Sequence, residues 1–224
     1  MDAAHALAHA VVSTPVAGST VSSGSASSSD NPEYRNMVNA FMNGLHTRMF
    51  LGSFHVMNTR NQHSAIIIAV TSRSNFWDDE RFGHHSLFDG LIRFATFGAQ
   101  PASEPIFDGI TWFGNLTGHV NHPNDVSIVT SGSRLIPLNA GVNQISQLLT
   151  AEQYFRNNSN DSINYRLFPG GVLPLNGLNS NAYTYSLLLH SGITHPTLEG
   201  RFPGWGHIVQ EHYFGIRRVP VWMV

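Results

Sequence analysis

His63-Ser64-Ala65-Ile66-Ile67-Ile68-Ala69-Val70-Thr71 is the stretch on which the architecture turns. Its apolar centre, Ala65 to Val70, is the longest such run in the chain. It falls far short of the roughly 18 to 20 residues that a membrane-spanning helix needs, so no transmembrane segment is expected. At that length, and rich in β-branched residues, it reads as a strand buried in a core. Side chains alternate along a strand, so His63 shares a face with Ala65, Ile67 and Ala69, at the strand's very start. A histidine at the mouth of a core strand can face a cleft and act as a general base. Equally, a histidine at a core edge can be satisfied by a backbone carbonyl.

Working outward, Asn31-Pro32-Glu33 reads as a helix start, with Pro in the first helical position. Met37, Val38, Phe41, Met42 and Leu45 then recur at three- and four-residue spacing, which predicts an amphipathic helix to about His46. Phe50 to Met57, Leu91 to Phe97, Ile110 to Phe113 and Val126 to Thr130 read as further strands. Val142, Ile145, Leu148, Leu149 and Phe155 trace a second helix. A third is expected from Asn181 to His190, stopped by Gly192. His207 to Phe214 and Arg217 to Val224 alternate enough to form a closing hairpin or two strands. The expected class is α+β, an antiparallel sheet packed against two or three helices. Residues 1–30, rich in Ala, Ser, Thr, Val and Gly, read as a flexible leader, and 31–224 as a single domain. The leader lacks the basic start of a secretory signal, so export is expected to follow a route without a cleaved signal peptide.

Composition narrows the chemistry. Hydrophobic residues make up 42% of the 224 and charged residues only 12%, enough apolar material for a single core and too much for global disorder. A net charge of -2 argues against a grip on nucleic acid, which needs clustered basic groups to neutralise phosphates. All twelve basic residues are arginine, which removes a lysine Schiff base and a P-loop lysine. Cysteine is absent, which removes disulfides, thiolate metal sites and a cysteine nucleophile. What abounds is His, with 13 residues.

Two further segments carry candidate chemistry. Leu178-Asn179-Ser180-Asn181-Ala182-Tyr183 runs from loop into the Leu187-Leu188-Leu189 helix and places Ser180 at or near a helix N-terminus. Unsatisfied backbone N–H groups there form a ready oxyanion site. Asn and Ser are also preferred helix caps, so the same residues can be capping alone. The other segment is Gly118-His119-Val120-Asn121-His122-Pro123-Asn124-Asp125. His119, His122 and Asp125 have a spacing that suggests metal ligands, but Pro123 argues against the helix that would align them, and a polar turn is expected. No His-Glu-x-x-His signature occurs, so neither a metal nor a cofactor is expected.

These segments also occur in a meaningful order. A strand-heading His63 comes first, then the Phe97-Gly98-Ala99-Gln100-Pro101 turn and the loop holding Asn121 and Asp125. Asn179-Ser180-Asn181 at a helix start follows, then Pro203-Gly204-Trp205. Over roughly residues 50 to 215 this order resembles the permuted papain-like domains of bacterial secreted toxins, in which the His strand precedes the nucleophile helix. More specifically, the chain looks like type VI secretion cargo effectors of the TseH kind, regarded as NlpC-type cell-wall hydrolases. The resemblance implies His63 as base and Ser180 in the nucleophile position. It implies Asn121 or Asp125 as the group orienting the imidazole, and Asn179 and Asn181 as flanking residues that help form the oxyanion pocket. The chain departs from the family where it carries Ser180 in place of Cys, so His63 must take the hydroxyl proton during attack.

The resemblance further implies an antibacterial effector that cleaves amide bonds in peptidoglycan, secreted and acting in the target cell envelope or periplasm. Its expected partners are an envelope substrate, an immunity protein and a delivery component of the secretion apparatus. Three alternatives stand beside it. One is a lipid or acyl-ester hydrolase on the same fold, compatible with Phe202-Pro203-Gly204-Trp205. The others are a non-catalytic binding or structural module and a metal-dependent hydrolase using His119, His122 and Asp125.

Overall fold

Ile66, Ile67 and Ile68 are each fully buried, which requires protein on both faces of their strand. The structure, a computed structural model, describes residues 32–56, 60–102, 106–107, 112–130, 135–166 and 178–216. Among them the chain runs α1 (Pro32–Met42), β1 (Thr47–His55), β2 (Gln62–Thr71), β3 (His85–Leu87), β4 (Ile92–Pro101), β5 (Ile106–Phe107) and β6 (Trp112–Val120). It continues through α2 (Pro123–Thr130), β7 (Leu135–Leu138), α3 (Val142–Asn158), β8 (Asn164–Arg166) and α4 (Ser180–His190). The strands form one sheet in the order β5-β6-β4-β2-β1-β7, with β3 added beside β4 and β8 beside β6. Every strand pair is antiparallel. The class is α+β, with β2 at the centre between β4 and β1.

Two cores follow from this placement. Ile66, Ile68 and Val70 pack with Leu148, Leu149 and Phe155 of α3 and Tyr183, Leu187 and Leu188 of α4. Ala65, Ile67 and Ala69 face the other way, onto Phe41 and Met42 of α1 and Ile128 and Val129 of α2. Burial of each of these isoleucines contributes roughly 2 kcal/mol, so β2 is the strand the rest of the fold closes around. The N-terminal turn of helix α4 lies at the His63 end of β2, where Asn181 bonds to Ser64.

Several sequence expectations need correction. The segment predicted as a strand from Val126 to Thr130 is part of α2, and Pro123, taken as evidence against a helix, opens it. Proline is harmless there because the first helical N–H has no partner to lose. With α2 the described residues hold four helices rather than two or three. Helix α1 stops at Met42, short of His46, where Asn43 and Gly44 take positive φ values of 52° and 73°. The expected strand over His207 to Phe214 is irregular chain ending in a short 3-10 turn, Glu211–Phe214. Its alternation marks single anchors, Val209 between exposed neighbours and Phe214, both buried. The strand predicted at Ile110 to Phe113 is the start of β6 from Trp112. The leader over 1–30 and the segment Arg217 to Val224 lie outside the described residues.

Candidate active site

At the start of β2 three consecutive residues engage three different parts of the molecule. Gln62 donates its backbone N–H to the Arg201 carbonyl at 2.8 Å. Ser64 points to the α4 face, where its N–H and its hydroxyl both donate to Asn181 Oδ1, at 2.9 and 2.8 Å. The Ser64 carbonyl accepts from Thr184 Oγ1 at 3.1 Å. Helix α4 is thereby fixed to β2 by residues on either side of its first turn. Between these two, His63 projects to the opposite face.

Ser180 is the first residue of α4, capped by Asn179, whose Oδ1 accepts from the Ala182 N–H at 3.1 Å. The approach to the helix is fixed as well, because Leu178 exchanges backbone hydrogen bonds with Arg166 and Asn164 beside β8. So held, Ser180 Oγ lies 2.8 Å from His63 Nδ1. The other ring nitrogen, Nε2, lies 2.9 Å from Asp125 Oδ1. Three residues from three separate elements therefore form one continuous chain of hydrogen bonds.

Proton placement follows from the partners. A carboxylate can only accept, so Nε2 carries the hydrogen and donates to Asp125, and Nδ1 keeps a lone pair for the Ser180 hydroxyl. The ring is turned over relative to the familiar serine-protease triad, where Nε2 faces the serine and Nδ1 the aspartate. Both nitrogens sit in the same plane, so the chemistry does not depend on which faces which. Side-chain exposure falls from 12% at His63 to 4% at Asp125, so the imidazole can be reached from solvent while its carboxylate partner is shielded. Phe54, opposite His63 on β1, packs on the imidazole with ring centroids 4.8 Å apart and restrains its rotation.

Asp125 reaches His63 because of a glycine. A Cβ on Gly98 would sit 2.3 Å from Asp125 Oδ2, so the carboxylate occupies the space that any side chain on β4 would fill. Gly98→Ala is therefore expected to push Asp125 away from His63 and lower kcat by about ten- to a hundredfold, a size typical of misplaced catalytic groups. Steady-state kinetics, with thermal unfolding alongside to separate site from fold, checks this. The sequence reading placed Phe97 to Pro101 in a turn, whereas these residues end strand β4, and a glycine inside a strand often marks a close approach.

Of the two candidates for orienting the imidazole, Asp125 makes the contact and Asn121 does not. Asn121 forms the corner between β6 and α2, with φ of 58°. Its Oδ1 accepts from the Thr96 N–H at 2.9 Å and its Nδ2 donates to the Arg81 carbonyl at 2.8 Å. Arg81 is itself anchored by Asp79 and the buried Glu152. Burial pushes the Glu152 carboxyl above its ordinary value, opposed by Arg156 and Arg81. Asn121 thus aims α2, and through α2 it aims Asp125.

The side chains of Asn179 and Asn181, expected near the oxyanion, are committed to the fold. Asn181 Nδ2 donates to the carbonyls of Gln62 and Pro203, at 2.8 and 3.0 Å, and its Oδ1 serves Ser64. Asn179 Nδ2 donates to the same Pro203 carbonyl at 2.8 Å. What the helix start offers an oxyanion is backbone. The first intrahelical bond runs from Tyr183 N–H to the Asn179 carbonyl, so the N–H groups of Ser180 and Asn181 precede it.

The remaining histidines do not converge. His119 and His122 have ring centroids 5.3 Å apart, and His122 Nδ1 accepts from the Asn124 N–H. Burial and the neighbouring His122 push the His119 pKa below its ordinary value. Among the described residues no group of three His, Cys, Asp or Glu side chains is arranged to hold a metal ion, and none of their helices is long and apolar enough to cross a membrane. Comparison with known proteins finds no matching family model, no similar curated protein and no similar solved structure.

Proposed function

We propose that the chain is a serine-nucleophile hydrolase with a permuted papain-like fold. In this reading it cleaves amide bonds in peptidoglycan as a secreted antibacterial effector. The observation that carries the chemistry is the unbroken series Ser180–His63–Asp125 at 2.8 and 2.9 Å. The order of the same residues along the chain supports the family. The Asp125 contact holds the imidazole with Nδ1 turned as an acceptor toward the Ser180 hydroxyl.

In the proposed reaction Ser180 Oγ attacks the substrate carbonyl carbon while its proton passes to His63 Nδ1. Asp125 stabilises the imidazolium that forms. Negative charge on the carbonyl oxygen is met by the N–H groups at the start of α4. Collapse of this adduct breaks the C–N bond, and His63 returns the proton to the leaving amine, leaving an ester on Ser180. Water, deprotonated by His63, then attacks that ester, releases the acid and restores the hydroxyl. No metal or cofactor takes part. Such an effector works in the target envelope and requires an immunity protein that blocks the cleft, and a delivery partner in the producer.

Incubation with purified sacculi tests the reading. Soluble muropeptides with new amine and carboxylate ends, together with labelling of Ser180 by a fluorophosphonate, are the expected result. Intact sacculi and an unlabelled Ser180 would overturn it. The half-buried Phe202 and Trp205 favour a second substrate class, because their loop is bonded through Pro203 to both neighbours of Ser180. Fatty acid released from phospholipid vesicles while sacculi stay intact would move the same chemistry to acyl esters.

A further inference from the structure

All basic residues of this chain are arginines, so its unpaired guanidinium groups show where it keeps positive charge in reserve. Nine arginines lie among the described residues. Six are engaged. Arg48 and Arg93 each donate to a carbonyl and lie over an aromatic ring. Arg81 and Arg156 are held by carboxylates, and Arg35 and Arg166 have partners of their own. Among the described residues the guanidinium groups of Arg60, Arg73 and Arg201 remain without a hydrogen-bond or carboxylate partner. Arg73 lies just past the far end of β2 from His63.

The other two lie on adjoining segments at the His63 end of β2, Arg60 in the turn that leads into the strand. Asn61 and Arg201 are paired as parallel neighbours, with Arg60 next in the chain. Paired residues share a face, as do residues two apart on one strand, so Arg201 stands on the face of Asn61 and His63. Both Arg60 and Arg201 are exposed. Their position is fixed by main chain: the Arg201 carbonyl accepts from Gln62, and the Pro203 carbonyl accepts from the residues flanking Ser180. Nearby carboxylates do not neutralise them, since Asp125 is engaged with His63 and Glu199 has a partner of its own.

We infer that Arg201, with Arg60 in the adjoining turn, forms an anion-recognition subsite beside the Ser180–His63 pair, and that the substrate presents a carboxylate there. This rests on the hydrolase reading above. The guanidinium fork matches a carboxylate with two parallel hydrogen bonds. Because Arg201 shares the face of His63, which protonates the leaving group, the carboxylate belongs to the leaving-group side of the scissile bond. A peptide cleaved at an amide carries such groups close to that bond.

Two matched aryl acetates, 3-acetoxybenzoate and 3-acetoxybenzamide, differ only in leaving-group charge. At low salt the wild-type protein is expected to favour the benzoate by about tenfold in kcat/KM. The Arg60→Gln/Arg201→Gln double variant should lose that preference and keep its rate on the benzamide. Arg73→Gln should keep both. An absent preference in wild type, or one that persists in the double variant, overturns the inference. As competitors of the benzamide, 3-hydroxybenzoate should inhibit and inorganic phosphate should not; equal inhibition would overturn the carboxylate assignment. If neither ester is turned over the hydrolase reading fails, and calorimetry with 3-hydroxybenzoate then decides the subsite alone. Binding lost in the double variant supports it, and no binding to wild type overturns it.

Discussion

Ser180→Ala is expected to abolish turnover, with kcat reduced by about a thousandfold or more, the scale seen when a triad nucleophile is removed. The hydroxyl supplies the only atom in the series that can become an acyl carrier, and nothing beside it can substitute. Asn179 and Asn181 are tied to Pro203, and Ser64 is buried on the other face of β2. The fold should tolerate the change, because Ser180 contributes one side-chain hydrogen bond, to His63. Muropeptide release or ester hydrolysis compared at equal protein concentration measures the loss, and an unchanged circular dichroism spectrum shows that the fold is kept. Full activity in the alanine variant would exclude Ser180 as nucleophile.

Asp125→Asn should be nearly as damaging, about a thousand- to ten-thousandfold in kcat, although it removes hardly any volume. The argument concerns a single proton. Aspartate accepts from His63 Nε2–H and so leaves Nδ1 bare toward Ser180. Asparagine presenting its amide hydrogens at that position would reverse the ring. Nε2 would then accept, Nδ1 would carry the hydrogen, and the histidine could no longer take the serine proton. Substrate binding does not use this group, so KM should stay within a few-fold while kcat falls. A comparable loss in both parameters, or little loss in either, would contradict the assigned role.

Much of the fold was legible because its centre is simple. The run from Ala65 to Val70 is buried on both faces, as a short, continuous, β-branched stretch must be. Helix α3 follows the spacing of its apolar residues, and α4 runs from its asparagine cap to just short of Gly192. The placement of Ser180 at a helix start was legible for a related reason, since Asn-Ser-Asn before an apolar run is capping chemistry whatever else it does. Helix α2 was hidden because Pro123 and the two histidines before it look like turn residues in isolation. Only the positive-φ corner at Asn121 and the buried Ile128 and Val129 reveal that the chain continues as a helix. That misreading left Asn121 and Asp125 equivalent, whereas in the fold one aims the helix and the other is carried by it. The asparagines beside Ser180 were legible as its flanking residues, but the bonds their side chains make were not. Their amide hydrogens go to main chain far away in sequence, the carbonyls of Gln62 in β2 and of Pro203, which local sequence does not show.

Strand β2 has a further consequence, which concerns alignment. Moving a strand by one residue turns every side chain to the opposite face, and most sheets forbid this because one face is polar. Here Ala65 through Val70 are apolar throughout and buried on both sides, so the hydrophobic pattern barely distinguishes one setting of the strand from its neighbour. The distinction is made at residues 62 to 64, where Ser64 must meet Asn181 while His63 meets Asp125 and Ser180. The polar groups of the site thus act as the notch that fixes which way the central strand is seated. The same few atoms that would perform the chemistry tell the chain when it has been threaded correctly.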